Sequence, residues 1–191
     1  MSNTNFWQNA SLEPKRAFKF ILSIPGVSGN TRGVPEFLVK KVKKPEWEIT
    51  STEHNFLNHT FYYPGRTKWA PIDVTIVDTV SPDSNGTRQV MDILEQSGYD
   101  IPTNPNQTQG WGTVSKNKAV NDAMGQIAII TIDSDGNEVE KWLLNNAWIS
   151  KVSFGELSYD SEDILDITLS IAYDNAYVES QSFGTIPSTS S

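Results

Sequence analysis

The strongest pattern along the chain is a two-residue alternation near its C-terminus. From Ile164 to Tyr173, Leu165, Ile167, Leu169, Ile171 and Tyr173 share one side, and Asp166, Thr168, Ser170, Ala172 and Asp174 share the other. That period predicts a strand with one buried face. Upstream, Gly125 to Asp133 is apolar on both faces and predicts a strand covered on both sides. Ser134-Asp135-Gly136-Asn137 closes it as a hairpin, because Asp-Gly supplies the positive φ such turns require. Glu138 to Leu144 pairs back, Asn145-Asn146 bends the chain, and Ala147 to Phe154 forms a further strand. Phe18 to Ile24 and Ile72 to Val77 have strand composition, and Pro25-Gly26 stops the first. The clearest helical period covers 87–97, where Val90, Met91, Ile93 and Leu94 fall on one face and Gly98 is placed as a stop.

The middle of the chain predicts a long hairpin. Trp47 to Thr52 and Thr60 to Tyr63 read as its arms, STEHNFLNH as an extended polar tip, and Pro64-Gly65 as the turn that ends it. Before it, Glu36 to Lys44 mixes apolar and basic residues until Pro45 breaks the run. A tip of that length exceeds the usual two to five residues of a hairpin loop, which favours a functional extension. The segment 100–122, rich in Asn, Gln, Thr and Gly, reads as a variable surface loop. Seven or eight strands and one helix predict a mainly β fold: an antiparallel β-sandwich or open β-barrel with one flanking helix and a long extended hairpin. The expected organisation is an N-terminal arm over 1–17, a β domain over 18–178 and a flexible tail over 179–191.

Composition narrows the class. At 191 residues with 37% hydrophobic and 20% charged residues, the chain suits one globular domain. It has no cysteine, which excludes disulfides, thiolate metal sites and cysteine nucleophiles. No run of 18 apolar residues occurs, so no membrane insertion is expected, and the polar start of the chain lacks the apolar core of a secretory signal. The net charge of −8 is unevenly spread. Residues 1–44 hold eight basic and two acidic residues, against seven basic and 21 acidic in the remainder. From Glu156 onward there are seven acids and no base. Such a split suits either a plain solvated acidic surface or two surfaces of opposite sign that meet head to tail between copies. It does not suit a DNA-gripping protein, which needs a basic footprint.

A search for chemistry finds no constellation, and no catalytic residue, metal site or cofactor is expected. His54 and His59 sit five apart in the proposed hairpin extension, with only Glu53 beside them, a spacing that defines no metal geometry. There is no phosphate-binding glycine loop, no dinucleotide fingerprint and no nucleophile elbow. The acidic clusters Asp133/Asp135 and Asp160/Glu162/Asp163 are what an acidic chain with Asp-rich turns carries. Among six tryptophans, Trp142 and Trp148 lie in strand patterns, which suits a core. Trp7 and Trp111 lie in polar segments and are candidate anchors between subunits.

The order of these features resembles the tube proteins of contractile-tailed, T-even-like phages. The likeness runs from about Phe18 to Tyr177: FKFILSIPG, a lysine-rich strand leading into a long hairpin, then Gly65-Arg66…Trp69 followed by Ile72 to Asp78. A helix comes next, and then WLLNNAWI from Trp142 to Ile149, Val152 to Leu157, and an alternating strand that ends in Ala172-Tyr173-Asp174. The segment 100–122 and the serine-rich tail have no clear counterpart.

The resemblance implies a virion tail protein, assembled in the host cytoplasm. Six subunits form a ring, neighbouring sheets join into one continuous barrel, and rings stack helically into a conduit for DNA ejection. DNA passes through without specific binding. The implied partners are other copies of the chain, tail sheath, baseplate, tape measure and tail terminator proteins. Candidate contacts between rings or subunits are Trp47, Phe56, Leu57, Phe61, Lys40, Lys41, Lys43 and Lys44, with Trp7 and Trp111. Asp166, Thr168 and Ser170 are candidates for the lumen wall. The alternatives are the tube of a bacterial contractile injection system, a tube-capping baseplate protein and, in another class, a carbohydrate-binding β-sandwich module that uses exposed tryptophans.

Overall fold

A computed structural model describes residues 14–26, 34–81, 84–100, 112–160 and 162–179. Trp7 and Trp111, most of the expected N-terminal arm and the tail beyond Glu179 lie outside these residues. Ten strands are described: β1 (Phe20–Ser23), β2 (Val39–Val42), β3 (Glu46–Phe56), β4 (His59–Ala70), β5 (Ile72–Val77), β6 (Ile127–Ile132), β7 (Glu138–Asn145), β8 (Trp148–Ser153), β9 (Asp166–Ala172) and β10 (Asn175–Glu179). They form two four-stranded sheets, β1-β6-β7-β10 and β2-β5-β9-β8, and a separate two-stranded ribbon, β3-β4. Every pairing is antiparallel. Neither sheet closes on itself, so the subunit is mainly β with open edges, within the expected fold class.

The two sheets face one core. Ile72, Val74 and Ile76 of β5 pair in register with Ile171, Leu169 and Ile167 of β9, and all six are fully buried. Against them lie Leu22 of β1, Ile127 and Ile129 of β6 and Leu144 of β7. The alternation read in 164–173 thus becomes the inner face of a central strand. β6 buries Ile127, Ala128 and Ile129 in succession, as its unbroken apolar composition requires.

Helix α1 (Gly86–Gln96) closes one side of the core with Gly86, Gln89, Val90 and Ile93, an i, i+3, i+4, i+7 face. Its start is doubly capped. The Asn85 side chain accepts the Arg88 N–H at 2.8 Å, and Asp78 Oδ1 accepts the Gly86 N–H at 2.9 Å. Gly86 lies so close to the core that a Cβ there would sit 3.1 Å from Ile167 Cδ1.

Three features differ from expectation. The segment read as a variable loop over 100–122 is helical in its last part: a turn at Lys116–Lys118 (α2) continues as a π-helical turn over Ala119–Met124. It packs Ala119, Ala123 and Met124 into the core region beside α1. Its apolar positions are too few and too short a run to stand out from the polar residues around them. The hairpin has no long loop at its tip: both strands run to a tight turn at Leu57-Asn58, where Leu57 has φ 51°. Pro64-Gly65 does not end the hairpin but lies inside β4. The strand β10 is only five residues long, too short for an alternation to stand out; it pairs with β7 through Tyr177↔Leu143 and Val178↔Trp142.

Because Ile76 is fully enclosed between the sheets, Ile76→Ala should lower the stability of the isolated subunit by about 2–5 kcal/mol, read as a shift in the denaturant midpoint with an unchanged slope.

Candidate assembly surfaces

The burial of the ribbon does not add up among the described residues. All of β3, and β4 from His59 to Lys68, is exposed; only Trp69 and Ala70 at the base are half-buried. At 3.3 Å per residue the ribbon reaches roughly 35 Å. A lone two-stranded hairpin is marginal in water, because ordering it costs conformational entropy that no packed face offsets. It nevertheless carries a set of apolar and aromatic side chains: Trp47, Ile49, Phe56, Leu57, Phe61, Tyr62 and Tyr63 are all exposed, Leu57 at 86%.

The register sorts these residues onto two faces. Phe56↔His59, His54↔Phe61 and Thr52↔Tyr63 share one face of the distal half. Glu53↔Tyr62 and Ser51↔Pro64 share the other. A β-bulge then breaks the phase: between Ile49↔Thr67 and Ser51↔Pro64, two residues of β4, Gly65 and Arg66, oppose Thr50 alone. Below it, Trp47↔Trp69 and Ile49↔Thr67 lie on the face that carries Glu53 and Tyr62 near the tip. The extra residue shifts the phase of β4, so that Trp69 joins Trp47 and Ile49 on the face opposite Phe61 and Tyr63. The Thr50 hydroxyl holds the bulge, accepting the Arg66 N–H at 3.1 Å. Gly65 permits it, since a Cβ there would stand 2.5 Å from Thr50 Oγ1 and 2.9 Å from the Thr50 carbonyl oxygen. At the base, the Trp69 ring tilts against Tyr173 with centroids 6.0 Å apart, which ties the ribbon to the core.

The lysines singled out in the sequence are mostly engaged within the subunit. Lys40 pairs with Asp166 at 2.6 Å, Lys43 with Glu46 at 2.6 Å and Lys44 with Glu140 at 2.8 Å. Among the described residues, Lys41 forms no ion pair. Hydrogen bonding to Lys43 lowers the Glu46 pKa, and the same contact raises that of Lys43. Glu140 is the hub. It lies opposite Thr131 in β6, and its carboxylate accepts from Lys15, from Lys44 and from the Trp142 indole N–H. Burial alone would push this carboxyl up, but the three donors overcome it and bring its pKa down to about 2. One acid thus ties the segments before β1 and after β2 to β7.

Asp166, Thr168 and Ser170 lie together on the outward face of β2-β5-β9-β8, opposite Val77, Thr75 and Asp73 of β5. Ser170 donates to Asp73 at 2.9 Å. Lys40 offsets Asp166, so the face is polar and close to neutral rather than strongly acidic. His54 and His59 lie diagonally on one ribbon face. Among the described residues, no group of three or more His, Asp or Glu side chains could hold a metal ion, and no helix is long and apolar enough to cross a membrane.

The model of the family described as "T4-like virus tail tube protein gp19" matches residues 16–176. The chain belongs to this tail tube family. Its members are structural tube proteins, not enzymes. No curated protein matches the chain in sequence. Solved structures share the fold of this tail tube protein at low identity. A chain of the sheath-tube complex of the extracellular contractile injection system PVC, in its extended state, is 17% identical, with 95% of this chain and 99% of that one covered at a TM-score of 0.58. A chain of the anti-feeding prophage's tube-terminating cap is 14% identical, with 94% and 100% covered at 0.60. One from that prophage's six-fold symmetrised baseplate is 13% identical, with 87% and 96% covered at 0.59.

Two outcomes are expected. Gly65→Val should disorder the ribbon while leaving the core melting transition nearly unmoved, read by hydrogen exchange of 46–70 against near-ultraviolet circular dichroism. The Glu140 carboxyl has a folded pKa below its ordinary 4.5, so its contribution is fully present above about 4.5 and is lost as the pH falls towards about 2. Glu140→Gln should flatten the acid limb of stability across that window, measured by denaturant titration at a series of pH values.

Proposed function

We propose that this chain forms hexameric rings that stack helically into the inner tube of a contractile phage tail, the conduit for DNA during ejection. The single observation that carries the reading is the ribbon: about two dozen residues, rich in exposed aromatics, that no face among the described residues covers. An adjacent ring supplies the missing face. Phe56, Leu57 and Phe61 bury there on stacking, with Trp47 closer to the base and the lysines at 40–44 flanking the contact. In the ring, the open edges of each sheet pair with those of the next subunit, which removes the aggregation hazard of free strand edges. The rings belong to the virion tail and assemble in the host cytoplasm. Sheath, baseplate, tape measure and tail terminator proteins are the expected partners. The tube family supports this reading, as does the fold shared with chains from sheath-tube, cap and six-fold symmetrised baseplate assemblies.

The outward face that carries Asp166, Thr168 and Ser170 lines the lumen in this reading. A polar, nearly neutral wall neither holds phosphates nor repels them strongly over the Debye length of about 8–10 Å, so DNA slides. A second reading, the tube or tube-capping protein of a bacterial contractile injection system, draws on the same fold likeness. Neighbouring genes for capsid and portal proteins would decide for the phage.

Negative-stain microscopy of the purified chain should show rings and hollow tubes. Phe61→Ser should raise the critical concentration for tube growth roughly ten- to hundredfold, since burying such a side chain is worth about 1.5–3 kcal/mol and each decade is about 1.4 kcal/mol. Raising the ionic strength should weaken assembly; tubes indifferent to salt would remove the charge match, and a reconstruction with Asp166, Thr168 and Ser170 on the outside would remove the lumen assignment.

A further inference from the structure

The free edges of the two sheets differ in chemistry. Edges β1 and β2 lie side by side and leave a groove of about 1000 Å³ between them. Its lining holds six lysine and arginine side chains against one acid, Glu36. Phe18 and Phe37 stand at its rim, 76% and 79% exposed, a costly arrangement for two phenylalanines unless something covers them. At the far side of the second sheet, β8 leads out into an irregular segment, Phe154–Asp160, with the opposite character. Leu157 is 86% exposed, Tyr159 is fully exposed and Phe154 partly so, with Glu156 and Asp160 between and beside them and no basic residue anywhere from there onward.

We propose that Phe154–Asp160 of one copy seats in the β1/β2 groove of the next copy around the ring. The inference rests on the ring reading and names its lateral contact. Charge is the first argument: an acidic segment with apolar anchors matches a basic groove with exposed aromatics. Register is the second. The row Ser153↔Thr168, Thr168↔Thr75, Thr75↔Lys41 crosses the sheet from its β8 edge to its β2 edge. Phe154 therefore leaves one edge at the strand end where, on the opposite edge, Lys40 and Phe37 sit. When the β8 edge of one copy joins the β2 edge of another, this row carries Phe154 toward the groove end of β2, offset by the stagger that barrel closure requires. Nucleic acid is a poorer occupant. Lys15, Lys44 and Lys40 are already offset by Glu140 and Asp166, which leaves too few free cations to track a phosphate backbone.

The chain contains no cysteine, so single cysteines report contacts without background. Two full-length variants, Phe37→Cys and Leu157→Cys, alter exposed side chains and leave the core intact. Assembled together and oxidised, they should give a disulfide-linked dimer on a non-reducing gel that neither gives alone. Wild-type rings and co-assembled variant rings without that dimer overturn the lateral contact and leave the ring reading standing. A wild-type chain that stays monomeric at every concentration overturns both. An intrachain bond in the double variant, or a bond from Phe37→Cys to Trp7→Cys in one chain, overturns the contact by showing that the groove is filled from within the subunit.

Discussion

The pairing of β5 with β9 is the constraint on which the rest of the subunit depends. Six aliphatic side chains, Ile72, Val74 and Ile76 against Ile171, Leu169 and Ile167, meet in register with no exposure at all. Burial on that scale is the largest favourable term available to a chain of this size. It also sets positions elsewhere. Pro71 alone separates β4 from β5, so the plane of β5 aims the ribbon. Asp78, at the other end of β5, caps α1 and fixes where the helix meets the core. β9 hands the chain through Tyr173 to β10, and the Tyr173 ring braces Trp69 at the root of the ribbon.

From that platform the ribbon projects as a deliberate imbalance. The subunit satisfies its core and then holds out a ribbon that would be at best marginally stable alone. The bulge at Thr50, Gly65 and Arg66 shows that the ribbon is shaped rather than merely long, because it assigns aromatic residues to one side near the tip and to the other near the base. A surface built in this way suits a partner that meets it in one orientation.

Charge also works inside the subunit. Most of the lysines between 40 and 44 are spent on ion pairs within the subunit, and Glu140 gathers two cations from segments far apart in sequence. Beyond those pairs the edges remain unlike: a basic groove with exposed phenylalanines on one side and an acidic segment with exposed apolar side chains on the other.

Much of this was legible beforehand, because the determining signals are local. The alternation in 164–173, the Asp-Gly turn at 135–136 and the helical face around Val90 and Ile93 each follow from the period of the backbone and the solvent on one side of it. The resemblance to tail tube proteins lay in the order of these same elements. Where reading failed, the deciding interaction was non-local. Pro64-Gly65 carries the local signature of a turn, yet it lies within a strand because Thr50, fifteen residues away, meets the bulge it forms. Ala119, Ala123 and Met124 look unremarkable until α1 and the sheets surround them. β10 is a strand only because β7 offers an edge to pair with. The sequence by itself thus determined most of the strands, the helix α1, the presence of the hairpin and the family likeness, since each rests on periodicity, turn chemistry or the order of local elements. Only the tertiary structure decided the bulge, the ion-pair partners of the lysines and the opposed edges of the sheets, since each depends on residues that the fold brings together from distant parts of the chain.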